Sequence, residues 1–348
     1  MPNCPSVSAI ISNLNGLKFL PRLLQSLREQ CGVVIQIIVV DRMSRDGSLE
    51  YLAGQADVEV IHEPPETGLV SGYAAGVSCA RHELLFFCNE DMWFDTDCLR
   101  LLQERIDLQA GIVAADPWQW TYDGRQLIHA GTRFKPSCWN ILCSYPFRQF
   151  CFTESVVCGE IVPFPCAGAF LMYRKAYEQA GGWDRSFFLD HEDVDLFIRV
   201  WQLGQRCVSV PEARVYHAVG ASNQQQIATL NTPVKRKRHI SGLANIAVIG
   251  MKYFNSWASF YCFLYPLFVI IKEAVRLRPR QTWLSVLAAI EVAGRYSAVR
   301  QFRAVWSREN TKRPGQGFFT APEFALGAAP YGLNTSSKAF SSITPTAD

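Results

Sequence analysis

Two acidic clusters and two isolated groups in this sequence have the residue types that proton transfer or cation binding would need. Asn89-Glu90-Asp91 follows the apolar run Leu84-Leu85-Phe86-Phe87. Adjacent carboxylates there suit a hard divalent cation; Mg2+ typically takes one or two of them and leaves the rest of its shell to substrate phosphates and water. The same residues also read as an ordinary polar loop. His191-Glu192-Asp193-Val194-Asp195 opens a segment in which Val194, Phe197, Ile198 and Trp201 fall on one apolar helical face. The helix dipole favours the ionised form of acids in a first turn, and a carboxylate ionised at neutral pH can act as a general base. Plain charge complementation of a helix end is the alternative. Asp41 closes the apolar run Val33–Val40; it can accept hydrogen bonds from a ribose or a base N–H, or it can merely start the turn through Ser44 and Asp46. His217 ends the apolar stretch from Ala213 and is either structural or a nitrogen ligand of the same cation. In the turn Gly181-Gly182-Trp183-Asp184, Trp183 reads as packing ahead of a sugar-stacking platform.

The elements that must position these groups alternate in type. Strand patterns cover residues 7–13, 33–40, 58–61 and 84–88, and helical spacing covers 17–30, a segment opening near Ser48, and 68–80. Such alternation predicts βαβ units and an α/β fold with a mostly parallel sheet. Ligands then sit beyond the carboxyl ends of the strands, where Asp41 and Asn89-Glu90-Asp91 fall. Residues 133–165 read as an irregular insertion or active-site loop. A strand is expected at 167–173, a helix over 194–203 closed by Gly204, and two strands at 206–210 and 213–217.

The chain of 348 residues is 49% hydrophobic and 19% charged, which excludes disorder as its main state. No basic segment leading into an apolar core follows Met1, so no secretory signal is expected. Among 12 cysteines there is no C-x-x-C pair, and the gaps between Cys138, Cys143, Cys151, Cys158 and Cys166 match no common zinc spacing; reduced thiols in the cytoplasm are expected. Charge is uneven. Residues 235–313 carry 15 Lys and Arg against 3 Asp and Glu, whereas the rest carries 19 against 28. Within the basic part, residues 253–271 hold no charge and many aromatics, flanked by Lys252, Lys272, Arg276, Arg278 and Arg280. This fits a segment lying in a membrane interface beside anionic lipid; spanning the bilayer and ordinary helix packing remain the alternatives. The apolar content favours lipid over nucleic acid as the partner. Three regions follow: an α/β body at 1–232, a basic amphipathic helical membrane-associating region at 233–310, and a flexible tail at 311–348.

The order and spacing of these pieces resemble family 2 inverting glycosyltransferases of the GT-A fold, especially bacterial rhamnosyltransferase-like members. The carrying segments are Ser8–Gly16, Ile37–Ser48, Asn89-Glu90-Asp91, Gly181-Gly182-Trp183-Asp184, Glu192–Leu196 and Val215–Ser222. The resemblance implies a nucleotide-sugar donor bound by Asn13, Asp41, Ser44, Gly68 and Asn89, and a divalent metal (Mn2+ or Mg2+) held by Asp91 and His217. It implies Asp193 as catalytic base with Glu192 beside it in the acceptor site. It further implies a glycan or lipid-linked acceptor, a role in surface polysaccharide biosynthesis, and a location on the inner face of the plasma membrane. Arg42, Glu66, Ala74 and Glu90 depart from the family pattern. Those departures keep a second reading open, a catalytically silent nucleotide-sugar or glycan-binding module on the same fold; a membrane-surface adaptor is the third.

Overall fold

The computed structural model describes residues 4–64, 67–134, 149–151, 160–218, 232–253 and 256–309. The strands are β1 (Ser6–Asn13), β2 (Val34–Asp41), β3 (Val58–His62), β4 (Leu84–Asn89), β5 (Met92–Phe94), β6 (Ile112–Thr121), β7 (Leu127–His129), β8 (Thr132–Phe134), β9 (Gln149–Cys151), β10 (Ile161–Val162), β11 (Ala169–Tyr173) and β12 (Arg206–His217). The helices are α1 (Leu20–Arg28), α2 (Ser48–Ala53), α3 (Gly68–Cys79), α4 (Cys98–Glu104), α5 (Arg174–Gln179), α6 (Glu192–Gln202), α7 (Thr232–Tyr253), α8 (Ser256–Val275) and α9 (Pro279–Glu309).

β2 and β4 are nearly continuous apolar runs, and β1 is buried from Val7 to Asn13 with Ser8 and Ser12 among its apolar residues, because the centre of each strand is covered on both faces, as crossover helices require. The main sheet has the strand order β10-β12-β6-β11-β4-β1-β2-β3, with β5 beside β12 and β7 beside β6. On that path β3, β2, β1, β4, β6 and β12 run one way, and β10 and β11 run against them. The expected α/β, mostly parallel GT-A-like architecture is therefore the observed one. Register does the positioning: Asn13 lies opposite Asp41 and Ser12 opposite Asn89, so the polar ends of three buried strands arrive at one edge.

The differences from expectation have local causes. The two strands expected at 206–210 and 213–217 are one strand, β12, whose register to β6 shifts between Val210 and Arg214; Pro211 lies within that irregularity. The stretch 133–165 is not wholly irregular, since β8, β9 and β10 contribute short pairings; residues 135–148 and 152–159 lie outside the described residues. Glu66, Gly220-Ala221-Ser222 and the tail at 311–348 also lie outside them. The uncharged run 253–271 is divided: Tyr253 ends α7 and is buried, and the remainder belongs to α8.

The boundary expected at 232 falls at the first residue of α7. This helix buries Ala244, Ile246, Ala247, Val248, Ile249 and Met251, together with Asn245 and Lys252, and it packs against both α8 and α9. Among the described residues no helix is long and apolar enough to cross a membrane.

Candidate active site

At the end of β1 and β2, Asn13 and Asp41 are both fully buried. Asn13 Nδ2 donates to Asp41 Oδ2 at 2.6 Å and to Ser44 Oγ at 3.2 Å. The Ser44 hydroxyl donates to Asp41 Oδ2 at 2.7 Å, and its backbone N–H donates to Asp41 Oδ1 at 2.8 Å. Asp41 thus takes three donors of the roughly four an ionised carboxylate can accept, and the turn reading of this residue is realised. Asn13 Oδ1 is buried with no hydrogen-bond partner. Arg42 is buried next door; burial pushes its guanidinium pKa down, opposed by the charges of Glu90, Tyr73 and Asp41.

The side chain of Asn89 accepts from the Tyr73 hydroxyl at 2.9 Å. Gly68 is a backbone position at the N-terminal end of the neighbouring helix. It starts α3 with φ +83°, and a Cβ there would lie 2.4 Å from the Phe188 carbonyl oxygen, so glycine is required for close approach to the segment preceding α6. Leu69 N–H donates to the same carbonyl at 3.0 Å.

Asp91 and His217 are brought together by the pairing of β5 with β12, in which Met92 faces His217. His217 Nε2 lies 3.2 Å from Asp91 Oδ1, and Nδ1 lies 3.1 Å from Gln119 Oε1. In the tautomer that gives Gln119 Oε1 a proton, Nε2 turns its lone pair toward the carboxylate, which is the donor set of a cation ligand pair. Among the described residues no group of three or more His, Cys, Asp and Glu could hold a metal. A nitrogen and a carboxylate nevertheless fit an ion that leaves its remaining positions to phosphate and water.

Asp193, in the first turn of α6, accepts from Val194 N–H at 2.7 Å and from Ala167 N–H at 3.4 Å. Burial pushes its carboxyl up to about 6; the two N–H donors oppose the rise and nearby Asp190 adds to it. The expectation that the helix dipole governs this group is corrected here, because burial dominates. Glu192 is buried, and burial together with Asp193 and Asp190 raises its carboxyl well above the usual range, favouring the neutral form.

One short backbone segment joins the two ends of the site. Gly168 O accepts from Asn89 N–H at 2.9 Å, Ala167 O from the Tyr73 hydroxyl at 3.4 Å, and Ala167 N–H reaches Asp193. Its neighbour Cys166 N–H donates to Asp116 Oδ1 at 3.2 Å, and Asp116 Oδ2 pairs with His129 Nε2 at 3.0 Å in the interior. Sequence reasoning missed Asp116, although an acid inside the apolar run of β6 was a usable signal. It also missed Lys252, a lysine in the buried helix α7. Lys252 Nζ lies 2.5 Å from Asp195 Oδ1 and 2.9 Å from Asp184 Oδ2. Asp195 also binds Arg199 Nη2 at 2.7 Å and the Tyr253 hydroxyl at 2.8 Å, and Arg199 Nη1 donates to Ala180 O and Gly182 O. Trp183 is buried, stacked with Tyr73 at 5.8 Å between centroids, and serves packing.

The Asp91–His217 pair and Asp193 of raised pKa are thus linked through the backbone of residues 167–168, which hydrogen-bonds to Asp193 on one side and to Asn89, two residues before Asp91, on the other. The Glycosyl transferase family 2 model matches residues 8–181, and the Glycosyl transferase family group 2 model matches residues 147–294. The chain belongs to glycosyl transferase family 2 and has the GT-A fold; these matches do not reach the rhamnosyl subtype. Among solved structures it is similar to GalNAc-T7, crystallised with UDP, GalNAc and Mn2+ (TM-score 0.62, 16% identity, 92% of this chain and 57% of that one). The chain therefore spans little more than half of that protein. It is also similar to the mannosyltransferase PcManGT from Pyrobaculum calidifontis, in complex with GDP-Man and Mn2+ (TM-score 0.48, 15% identity, 92% and 84% covered), and to residues 1–349 of S. aureus TarS (TM-score 0.45, 13% identity, 85% and 91% covered).

Proposed function

We propose that this protein moves a sugar from a nucleoside-diphosphate donor to a hydroxyl of a glycan or lipid-linked saccharide, in one step that inverts the anomeric carbon. The observation that carries this reading is Asp193: a carboxyl near 6, held by two backbone N–H groups and tied through residues 167–168 to the strand leading to Asp91. Asp193 takes the proton from the acceptor hydroxyl as that oxygen attacks, and a base poised close to the working pH suits this role. No covalent enzyme intermediate is needed. Asn13, Asp41 and Ser44 form the floor beneath the nucleotide, where the unpartnered Asn13 Oδ1 offers an acceptor to a base or ribose donor. Asn89 shapes the adjoining wall through Tyr73, and Gly68 contributes by letting α3 approach Phe188. Glu192, favouring its neutral form, lines the acceptor side without competing for the proton.

Asp91 and His217 would hold Mn2+ or Mg2+. Such an ion would supply charge stabilisation to the departing nucleoside diphosphate; GalNAc-T7 was crystallised with UDP, GalNAc and Mn2+.

A lipid-linked acceptor, and with it assembly of a surface polysaccharide at the inner membrane face, is supported by the far end of the C-terminal helices. Leu267, Phe268, Ile271 and Val275 on α8, then Leu277 and Trp283, are all exposed, Val275 by 78% and Leu277 by 88%. Lys272, Arg276, Arg278 and Arg280 are interspersed with them along the chain, the first three sharing Glu273 as an ion-pair partner. Apolar side chains among cations suit an interface with anionic lipid.

The test is a screen of UDP-, GDP- and dTDP-sugars with purified protein, with and without Mn2+, reading released nucleoside diphosphate by mass spectrometry. Metal-stimulated release that is lost in Asp193→Asn is expected. Full transfer activity in that variant would remove Asp193 as the base.

A further inference from the structure

The turn that delivers Asp193 to the site is strained. Asp190 and His191 follow one another with φ of +70° and +68°, a left-handed conformation that side-chain-bearing residues rarely adopt singly and more rarely in succession. Such geometry persists only where surrounding contacts over-determine it. His191 is the residue at which α6 begins, so any relaxation of this turn changes where the first turn of α6 points.

The contacts that hold the turn come from the C-terminal helices. Asn245, fully buried on α7, donates through Nδ2 to Asp190 O at 2.7 Å and to Leu189 O at 3.0 Å. Ser241, one helical turn earlier, donates to Leu189 O at 3.3 Å. Gly242 permits this approach, since a Cβ there would stand 3.1 Å from Asp190 Oδ2. The amide of Asn245 is itself oriented. Arg295 of α9, which can only donate, binds its Oδ1 at 2.8 Å through Nη1, and Arg295 Nη2 reaches Ser186 O at the start of the same loop. The carbonyl of Asn245 must therefore face Arg295 and its NH2 must face the strained turn. These hydrogen bonds of Asn245 and Arg295 go to this loop and to each other, and not to Asn13, Asp41 or Ser44.

We propose that Asn245 is a positioning residue for catalysis: oriented by Arg295, it pins the left-handed Asp190–His191 turn and so fixes the direction from which Asp193 meets the acceptor hydroxyl. This rests on the reading of Asp193 as the base. It makes the C-terminal helices part of the catalytic apparatus as well as a surface for lipid.

The test uses full-length protein and whichever UDP-, GDP- or dTDP-sugar the wild type turns over fastest, with release of nucleoside diphosphate as the readout. Asn245→Ala should lower kcat about 10- to 100-fold, the scale expected when a reacting group is misplaced by a fraction of an ångström to an ångström. The KM for the donor should stay within about twofold, because the donor floor is untouched. Arg295→Gln, which leaves Asn245 in place without its anchor, should show the same split in smaller measure, and it stands in if Asn245→Ala does not fold. Asp193→Asn is assayed alongside. If Asp193→Asn is inactive while folded Asn245→Ala and Arg295→Gln keep wild-type kcat, the positioning role is wrong. A parallel loss of kcat and donor affinity would also overturn it, by showing general disruption. If Asp193→Asn is active, the reading of the base itself fails, and this proposal with it.

Discussion

Lys252 Nζ stands 2.5 Å from Asp195 Oδ1, and both side chains are almost wholly withdrawn from water. The pair links α7 to α6 beneath the candidate base. A buried charge left wholly uncompensated costs about 3–5 kcal/mol; without Lys252, Asp195 keeps Arg199 and the Tyr253 hydroxyl, so the loss is a part of that. Lys252→Met should therefore lower the urea midpoint, and Lys252→Met with Asp195→Asn should lose less than the sum of the single changes. A Lys252→Met protein with an unchanged midpoint would show that the helices dock by apolar contact alone. Asp184, the second partner of Lys252, is pushed up by burial, but Lys252 and the Ser186 N–H outweigh this and hold it at about 2. A depressed carboxyl contributes stability above its unfolded value near 3.8, and that share should fade as pH falls toward 2.

Asp193 behaves in the opposite sense. Its folded value of about 6 exceeds the unfolded value of 3.8, so the native state binds more protons in between and stability falls as pH rises across that window. Asp193→Asn should melt higher than wild type at pH 7.5, with the gap closing as pH approaches 4. The wild-type kcat should rise through about pH 6 as the carboxyl ionises. A flat kcat profile from pH 5 to pH 8 would argue against a base titrating near 6.

His217→Ala should abolish Mn2+ stimulation of donor turnover. Gln119→Leu should leave both ligands in place but free Nδ1, weakening Mn2+ by about 10- to 100-fold, as loss of an outer partner does. Titration of Mn2+ by electron paramagnetic resonance in the presence of nucleoside diphosphate measures both. Equal Mn2+ affinity in wild type and His217→Ala would remove this histidine from the site.

Flotation with phosphatidylglycerol vesicles should recover the protein, and phosphatidylcholine vesicles should recover less. Ile271→Asp with Val275→Asp should prevent flotation at any salt. Arg276→Glu with Arg278→Glu should weaken it chiefly at low salt, at about 1 kcal/mol per cation. Flotation unaffected by either pair would dismiss this face as the lipid contact.

Much of the fold was legible because the central residues of β1, β2 and β4 are buried and mostly apolar, each strand closing on a polar residue that register then aligns. Asp91 and His217 were legible as strand ends, and their proximity follows from the pairing of β5 with β12. Less visible was whatever depends on partners distant in sequence. Asn245 is an unremarked amide within a helix until the carbonyls of Leu189 and Asp190 are set against it, and Lys252 reads as a flanking cation until Asp195 appears beside it. Tyr253, read as the start of a lipid-facing run, proved to be a buried hydroxyl on Asp195. Composition cannot separate an apolar helix face that meets protein from one that meets lipid.

The stretch from Cys166 to Gly168 does its work entirely through peptide groups: two N–H donors and two carbonyl acceptors reach Asp116, Asp193, Tyr73 and Asn89. Alanine scanning is blind to such a device at positions 166 and 167, where little but the side chain would change. A proline at 167 would delete the donor outright and expose the dependence, so backbone editing, by proline or by ester-for-amide replacement, is the way to interrogate how this protein keeps its acid groups in step.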